Sequence, residues 1–356
     1  MKHLYLLFLF TSIFSFSGFS QPQTYYNDVN LTLTGTNLFN ALAFKTESAH
    51  TNEISYTPGV WEADKITDED PSNNSNVLLI YGYNDNDGNY ITDRTRSKSL
   101  NGGTQGTDWN REHMFPNSLA IPKLDDLGKT TPPYADAHNL RPSDVKMNSN
   151  RGNLKFADGS GTAGPVSGGW YPGDEWKGDA ARIIMYMYMR YGTQCTPNYA
   201  TTGTINSLDS NMIDLLLEWN VEDPVSIIED SRNNYHDSNG QYAQGNRNPF
   251  IDNPALATVI WGGPVAEDRW GTLLSANEFA NISYKMYPNP VKDNFVYFSS
   301  TQNLDIIIYD ILGKQVVIEN ITTTKDFINI SNLNKGIYLV KIISNHGAVT
   351  KKLIKQ

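Results

Sequence analysis

Apolar positions recur at helical spacing over residues 37–50, where Leu38, Phe39, Leu42 and Phe44 punctuate NLFNALAFKTESAH. The spacing predicts an amphipathic helix. Residues 178–191, GDAARIIMYMYMRY, are apolar almost throughout and predict a buried helix. Its Met and Tyr stripe reads as core, not as a cofactor box. Another helix is expected over 213–219, stopped before Asp223-Pro224. VLLIYGY at 77–83 has the length of a buried strand, and Asp85-Asn86-Asp87-Gly88 marks a tight turn after it. That turn resembles the opening of a calcium loop but lacks the later Glu at loop spacing, so the turn is the preferred reading.

The pattern changes after about residue 281. Tyr287-Pro288-Asn289-Pro290 is a turn entry, and short apolar runs follow at 305–310, 314–318, 327–330 and 336–343. Short strands at close spacing predict a small antiparallel sandwich. At the other end, Lys2 and His3 precede a mainly apolar run over 4–16 and the small residues Gly18 and Ser20. Residues 1–20 therefore read as a signal peptide. No other stretch has spanning length, so no transmembrane segment is expected. Three regions result: 1–20, a mixed body over 21–280 and an all-β tail over 281–356.

Composition narrows the class. The 356 residues are 19% charged and 12% aromatic, which is globular and not disordered. The single cysteine, Cys195, excludes an intramolecular disulfide framework and a cysteine-based zinc site. The net charge of −10 is uneven. From Lys285 onward nine lysines face five acids, whereas residues 21–284 hold 18 basic and 33 acidic residues. An acidic body argues against broad attraction to phosphate backbones, so any basic cleft must be local.

Candidate chemistry concentrates in WNREHMFPNS at 109–118, where Glu112 stands beside His113. Asp136-Ala137-His138-Asn139-Leu140-Arg141-Pro142 follows, and then Asn148 and Arg151. Phosphodiester hydrolysis needs a base for water and a cation for the charge that develops on phosphate and leaving oxygen. His113 suits the first role. Glu112 and Asn148 suit a hard cation that takes oxygen ligands and keeps several waters: Mg2+, or another divalent ion such as Ca2+ or Mn2+. Neighbours on a strand point to opposite faces, so Glu112 and His113 share one site only if the backbone bends or one acts through water.

Arg111 and Arg151 are candidate phosphate contacts. Arg182 lies in an apolar helix, where an unpaired charge is costly; it either pairs with an acid such as Asp179 or takes a catalytic place in the cleft, and the cleft is favoured. Asn246, Arg247 and Asn248 form a donor cluster that either binds the substrate backbone or staples the chain. His138 and Asn139 are read as structural, with His138 buried and orienting its loop. His50 and His236 are also read as structural or surface residues. A zinc hydrolase using His113 and His138 is a weaker alternative, because no HExxH pair is present.

WNREH at 109–113, DAHNLRP at 136–142, MNSNRGN at 147–153, GDAARIIMYMYMRY at 178–191 and QGNRNPFID at 244–252 together resemble the secreted bacterial endonuclease I family. The resemblance implies an α+β fold: a His-Me finger (ββα-metal) nuclease in a mixed body, followed by the all-β tail. It implies His113 as general base, one divalent ion on Glu112 and Asn148, little sequence specificity, and 5′-phosphate products from DNA and RNA. The one departure is the lone cysteine, since some relatives are disulfide-bonded. YPNPV at 287–291, IYDILGKQV at 308–316 and INISNLNKGIYLVKI at 328–342 are similar to the type A sorting domain of the type IX secretion system. That similarity implies export and a secreted or cell-surface location, with the secretion machinery as a partner. A monomer is expected. The alternative function is an inactive secreted binding or adhesion protein on the same fold.

Overall fold

The structure, a computed structural model, describes residues 23–271, 273, 284–300, 303–311, 313–322, 324–344 and 347–356. The signal peptide expected over 1–20 lies outside them. Among the described residues no helix is long and apolar enough to cross a membrane. Two separate hydrophobic clusters mark two regions, one from Tyr26 to Leu273 and one from Val291 to Leu353.

The body opens with helices α1 (Gly35–Ala49) and α2 (Trp61–Thr67). A small antiparallel sheet follows, β1 (Glu69–Asp70), β2 (Asn73–Leu78) and β3 (Thr95–Ser97). Next come β4 (Trp109–His113) and β5 (Leu140–Asp144), paired antiparallel, and the helix α3 (Val145–Arg151). A short hairpin, β6 (Gly164–Val166) with β7 (Gly169–Tyr171), leads to α4 (Lys177–Tyr191). The body closes with α5 (Pro197–Ala200), α6 (Asp214–Glu222), α7 (Ile227–His236), α8 (Pro249–Asp252) and α9 (Ala255–Trp261).

The core is built on α4, where every residue from Gly178 to Met189 is buried. It packs against α1 and α6. Leu38 and Leu42 of α1 fill one side, and Leu216 and Trp219 of α6 another. Each large apolar side chain so buried contributes about 1.5–3 kcal/mol relative to exposure. Helix α4 matches the apolar run almost end to end. The run at 77–83 does not continue as a strand: pairing ends at Leu78, and Tyr81 turns the chain with φ 74°.

The unit β4–β5–α3 carries the candidate chemistry. Its register places Trp109 opposite Asp144, Glu112 opposite Arg141 and His113 opposite Leu140. Asp144 ends β5 and caps α3, its Oδ1 accepting from the backbone N–H of Lys146 (2.7 Å) and Met147 (2.9 Å). That cap lets the helix start where the strand stops. Arg141 fixes β5 in the core: its Nε donates to Asp68 Oδ1 (2.6 Å) and another nitrogen to Asp179 Oδ2 (2.6 Å). Arg232 of α7 pairs with the other oxygen of Asp68. All four side chains are buried, so each charge is held by its partner instead of by water.

The named strands of the tail all pair antiparallel, as its short apolar runs predict, with one isolated parallel bridge between Val291 and Lys355. One sheet has the order β11 (Gln315–Ile321), β10 (Leu304–Tyr309), β13 (Gly336–Ser344), β14 (Gly347–Lys355). The other has the order β12 (Phe327–Asn329), β9 (Phe295–Ser300), β8 (Tyr284–Tyr287). Leu304, Ile306 and Ile308 alternate inward along β10 and meet Val296, Phe298 and Val340 in one core.

Candidate active site

Strand β4 sorts its side chains to two faces. Asn110 and Glu112 face α3: Asn148 Nδ2 donates to Asn110 Oδ1 (2.8 Å), and Arg151 donates to Glu112 Oε1 (2.9 Å). Arg111 and His113 face an aromatic wall of Tyr56, Trp61 and Tyr134. The strand alternation is thus kept, and the acid and the imidazole flank one backbone from opposite sides.

His113 is half-buried. Its ring stacks on Tyr56 (centroids 5.8 Å apart) and tilts against Tyr134 (4.5 Å). Nε2 lies 2.9 Å from the backbone carbonyl of Tyr134. A carbonyl only accepts, so Nε2 carries the hydrogen and Nδ1 bears the lone pair of the neutral ring. Burial pushes the imidazole down to about 4, opposed in part by the Tyr134 carbonyl. At neutral pH the ring is uncharged and able to take a proton.

Glu112 is 2% exposed. Burial pushes its carboxyl up to about 7, against the pull of Arg151 and the Tyr81 hydroxyl. Both donors use one oxygen: Tyr81 Oη (3.0 Å) and Arg151 (2.9 Å) meet Oε1. Oε2 accepts from no described side chain or backbone group. Asn148 shows the same division. Its Nδ2 is occupied by Asn110 Oδ1 and by the Arg111 carbonyl (3.3 Å), while its Oδ1 has no partner among the described residues. Two oriented oxygens are thereby left for a ligand. Oxygen donors of this kind fit a hard cation that retains water.

Arg111 lies face-on to Tyr56, its guanidinium carbon 3.4 Å from the ring centre and 4.0 Å from that of Trp61. It donates to the Tyr56 carbonyl and to Thr57 Oγ1 (3.1 Å), and its Nε is buried without a hydrogen bond. Of the ten arginines in the sequence, Arg111 alone has no carboxylate within 4.0 Å among the described residues.

The other candidates sit elsewhere. The catalytic place favoured for Arg182 is corrected by its surroundings: it is 0% exposed and grips Glu229 through Nε (2.5 Å) and a second nitrogen (2.8 Å). Arg151 does not reach outward to phosphate. It is 1% exposed and ties Glu112 to the carbonyls of His113 (2.9 Å) and Met114 (2.8 Å). Of the two roles weighed for Asn246 and Arg247, the structure shows the staple. Asn246 donates to Tyr186 Oη (3.0 Å), Arg247 chelates Asp252, and both are buried. Asn248 caps α8.

His138 is buried, with Nε2 3.1 Å from the Asn246 carbonyl and its ring 4.7 Å from that of His236. It does not join His113, and no group of three His, Cys, Asp or Glu among the described residues is arranged to hold a metal. Asn139 clamps Phe115, accepting from its N–H (2.7 Å) and donating to its carbonyl (3.2 Å), which fixes the chain just past His113. Sequence reasoning missed Tyr56, Trp61, Asn110, Tyr81 and Tyr134. Tyr134 acts through its carbonyl, which no residue type announces.

Comparison with known proteins identifies relatives of both regions. A family profile described as Endonuclease I matches residues 34–255, and one described as Secretion system C-terminal sorting domain matches 285–356. An extracellular ribonuclease of Bacillus amyloliquefaciens is 39% identical over 254 residues, covering 68% of this chain and 79% of that protein. An extracellular ribonuclease of Bacillus subtilis (strain 168) is 42% identical over 224 residues, covering 60% of this chain and 70% of that protein. The sorting domain and these extracellular relatives indicate a secreted or cell-surface protein.

Proposed function

The chain belongs to the Endonuclease I family, and from that premise we propose that it hydrolyses phosphodiester bonds of DNA and RNA with His113 as general base. The proposal includes a divalent cation, Mg2+ or a close substitute, on Glu112 Oε2 and Asn148 Oδ1; because Glu112 and His113 flank β4 from opposite sides, the two serve one reaction only through water. When bound, that cation supplies neutralisation of charge on the phosphate and the leaving oxygen. The observation that carries the reading is the His113 ring, neutral and locked by Tyr134 with Nδ1 as its basic atom, directly next in sequence to a carboxylate with one oxygen unspent.

The residues divide the work. His113 Nδ1 takes the proton of the attacking water, and the Tyr134 carbonyl stabilises the imidazolium that forms. Arg111 is the one arginine with no carboxylate within 4.0 Å among the described residues, and the substrate phosphate is the counterion that completes it. Its guanidinium matches phosphate geometry, and the Tyr56 and Trp61 rings hold it in place at little further entropy cost. The RNA part draws on the relatives named ribonucleases; the DNA part and the 5′-phosphate products draw on the family resemblance. Export through the type IX machinery after removal of residues 1–20 belongs to the same proposal.

The test is cleavage of plasmid DNA and of RNA by the purified protein with Mg2+ and with EDTA, with product ends mapped. Magnesium-dependent cleavage that leaves 5′-phosphates and is lost in His113→Ala supports the reading. Cleavage that persists in EDTA, or a His113→Ala variant as fast as the parent, overturns it.

A further inference from the structure

Tyr81 has no exposed surface and is the one non-glycine among the described residues with a left-handed backbone, φ 74°. L side chains resist that region, and a bulky residue is held there only where its surroundings over-determine it. The surroundings here are explicit. The Ile80 N–H donates to the Pro142 carbonyl of β5 (2.8 Å), and the Gly82 N–H closes the turn onto Leu79 (3.0 Å). A Cβ at Gly82 would lie 2.1 Å from the Asp93 carbonyl oxygen, so the turn takes no side chain there. Trp176 Nε1 anchors the Gly82 carbonyl (2.9 Å).

The turn sends the Tyr81 side chain inward, edge-on to Trp170 at 5.5 Å. Its hydroxyl ends 3.0 Å from Glu112 Oε1 and 3.5 Å from the Met114 sulfur. Arg151 meets the same carboxylate oxygen at 2.9 Å from α3. Two donors from separate elements on one oxygen fix the rotation of the carboxylate plane.

We propose that Tyr81 is a positioning residue for Glu112: with Arg151 it pins Oε1 and so presents Oε2 to the divalent cation. The assignment rests on Glu112 being a metal ligand. Tyr81 touches neither substrate nor cation and acts only through Glu112.

The test uses the full chain with Mn2+ as probe, read by electron paramagnetic resonance, alongside Mg2+ titration of activity and the thermal midpoint. Tyr81→Phe keeps the ring against Trp170 and removes only the donor. The expected result is an affinity for Mn2+ about tenfold weaker, the low end of losses seen when a group supporting a metal ligand is removed. The half-saturating Mg2+ rises in parallel, while kcat at saturating Mg2+ stays close to the parent. Tyr81→Asn, which tolerates the positive φ but cannot reach Glu112, shows the same loss. In a Glu112→Gln background, Tyr81→Phe changes nothing further. An equal loss in that background marks a general structural effect and overturns the assignment. Parent-like Mn2+ binding by both Tyr81 variants overturns it too, with the metal reading intact. A parent protein that binds no Mn2+, or Glu112→Gln that binds it unchanged, overturns the metal reading and this assignment with it.

Discussion

The Tyr134 carbonyl accepts the hydrogen of His113 Nε2 across 2.9 Å, and this single bond decides which imidazole nitrogen keeps the lone pair that the proposed base would use. Burial holds the ring at about 4. A base must be neutral, so protonation removes activity only as the pH falls toward that value. At saturating cation, kcat should be nearly flat from pH 8 to pH 5 and fall below about pH 4. His113→Ala should lose about 10²–10⁴ of kcat, with its melting curve unchanged. An acid limb centred near 6.5 would show that the ring is solvated in the working enzyme.

Arg111 is the uncompensated guanidinium on the same face of β4 as His113. Removing one phosphate contact should lower the salt slope of substrate binding by about one unit. Arg111→Ala should therefore raise KM at low salt far more than at high salt. Arg111→Lys keeps the charge but not the planar stacking on Tyr56 and Trp61, and should restore only part of the binding. An unchanged slope of log KM against log salt in Arg111→Ala would remove it from the substrate contacts.

How far the sequence reveals this molecule depends on whether the partners are local. Helix α4 was legible because an unbroken apolar run identifies its own burial. The tail strands were legible for the same reason, since Leu304, Ile306 and Ile308 alternate as a half-buried strand must. The VLLIYGY run misled at its end, because the turn at Tyr81 is set by Pro142 and Asp93, outside the run. Arg182 misled likewise: a charge in an apolar helix signals a partner, but Glu229 lies 47 positions on. Nothing in the residue types distinguishes Arg111, which keeps its charge available, from Arg151, which spends it on Glu112. The acidic body keeps its net charge, so the attraction for a phosphate has to be local. Its other arginines are spent on carboxylates, and Arg111 is not.

Arg182 supports the core. Cutting it to Met leaves Glu229 buried and unpaired, which costs about 3–5 kcal/mol. The capping box at Ser226, which uses the same Glu229, should loosen with it. Arg182→Met should unfold at much lower urea concentration, while its folded fraction keeps near-parental kcat at low temperature. A variant of parental stability with a hundredfold lower kcat would return Arg182 to the chemistry.

The imidazoles of His138 and His236 are buried with their rings 4.7 Å apart, and His50, half-buried with both ring nitrogens enclosed, stands near Asp136. Burial lowers all three, His138 to about 4, with Asp136 opposing at His50 and His138. The unfolded chain takes up these protons near pH 6.5, and the folded chain does not. Each imidazole's contribution to stability should thus be flat above about pH 6.5 and fall as the pH drops from there toward 4, by about 1.4 kcal/mol per pH unit for each one kept neutral, while Glu112, raised to about 7, contributes with the opposite sign over the same range. Urea midpoints at pH 7, 6 and 5 measure it, and His236→Gln should remove one proton's share of the slope. Parent and variant curves of equal slope would show that His236 is protonated in the folded protein.

In the proposed cation site, Glu112 would make binding a competition with a proton. Burial raises its carboxyl to about 7 in the cation-free protein, whereas a ligating carboxylate must be ionised. Below pH 7 each bound cation therefore displaces one proton, and affinity should fall about tenfold per pH unit from there toward pH 5. Above about pH 7.5 the carboxylate is already free and affinity should level off. Isothermal titration with Mn2+ in buffers of different ionisation heat reads the proton directly: close to one released at pH 6 and close to none at pH 8.5. Glu112→Gln has no proton to lose and should bind weakly, without pH dependence across this range. If the parent shows equal affinity at pH 5.5 and 8, Glu112 is already ionised without the cation, and the cost of its burial is met by Arg151 and Tyr81 alone.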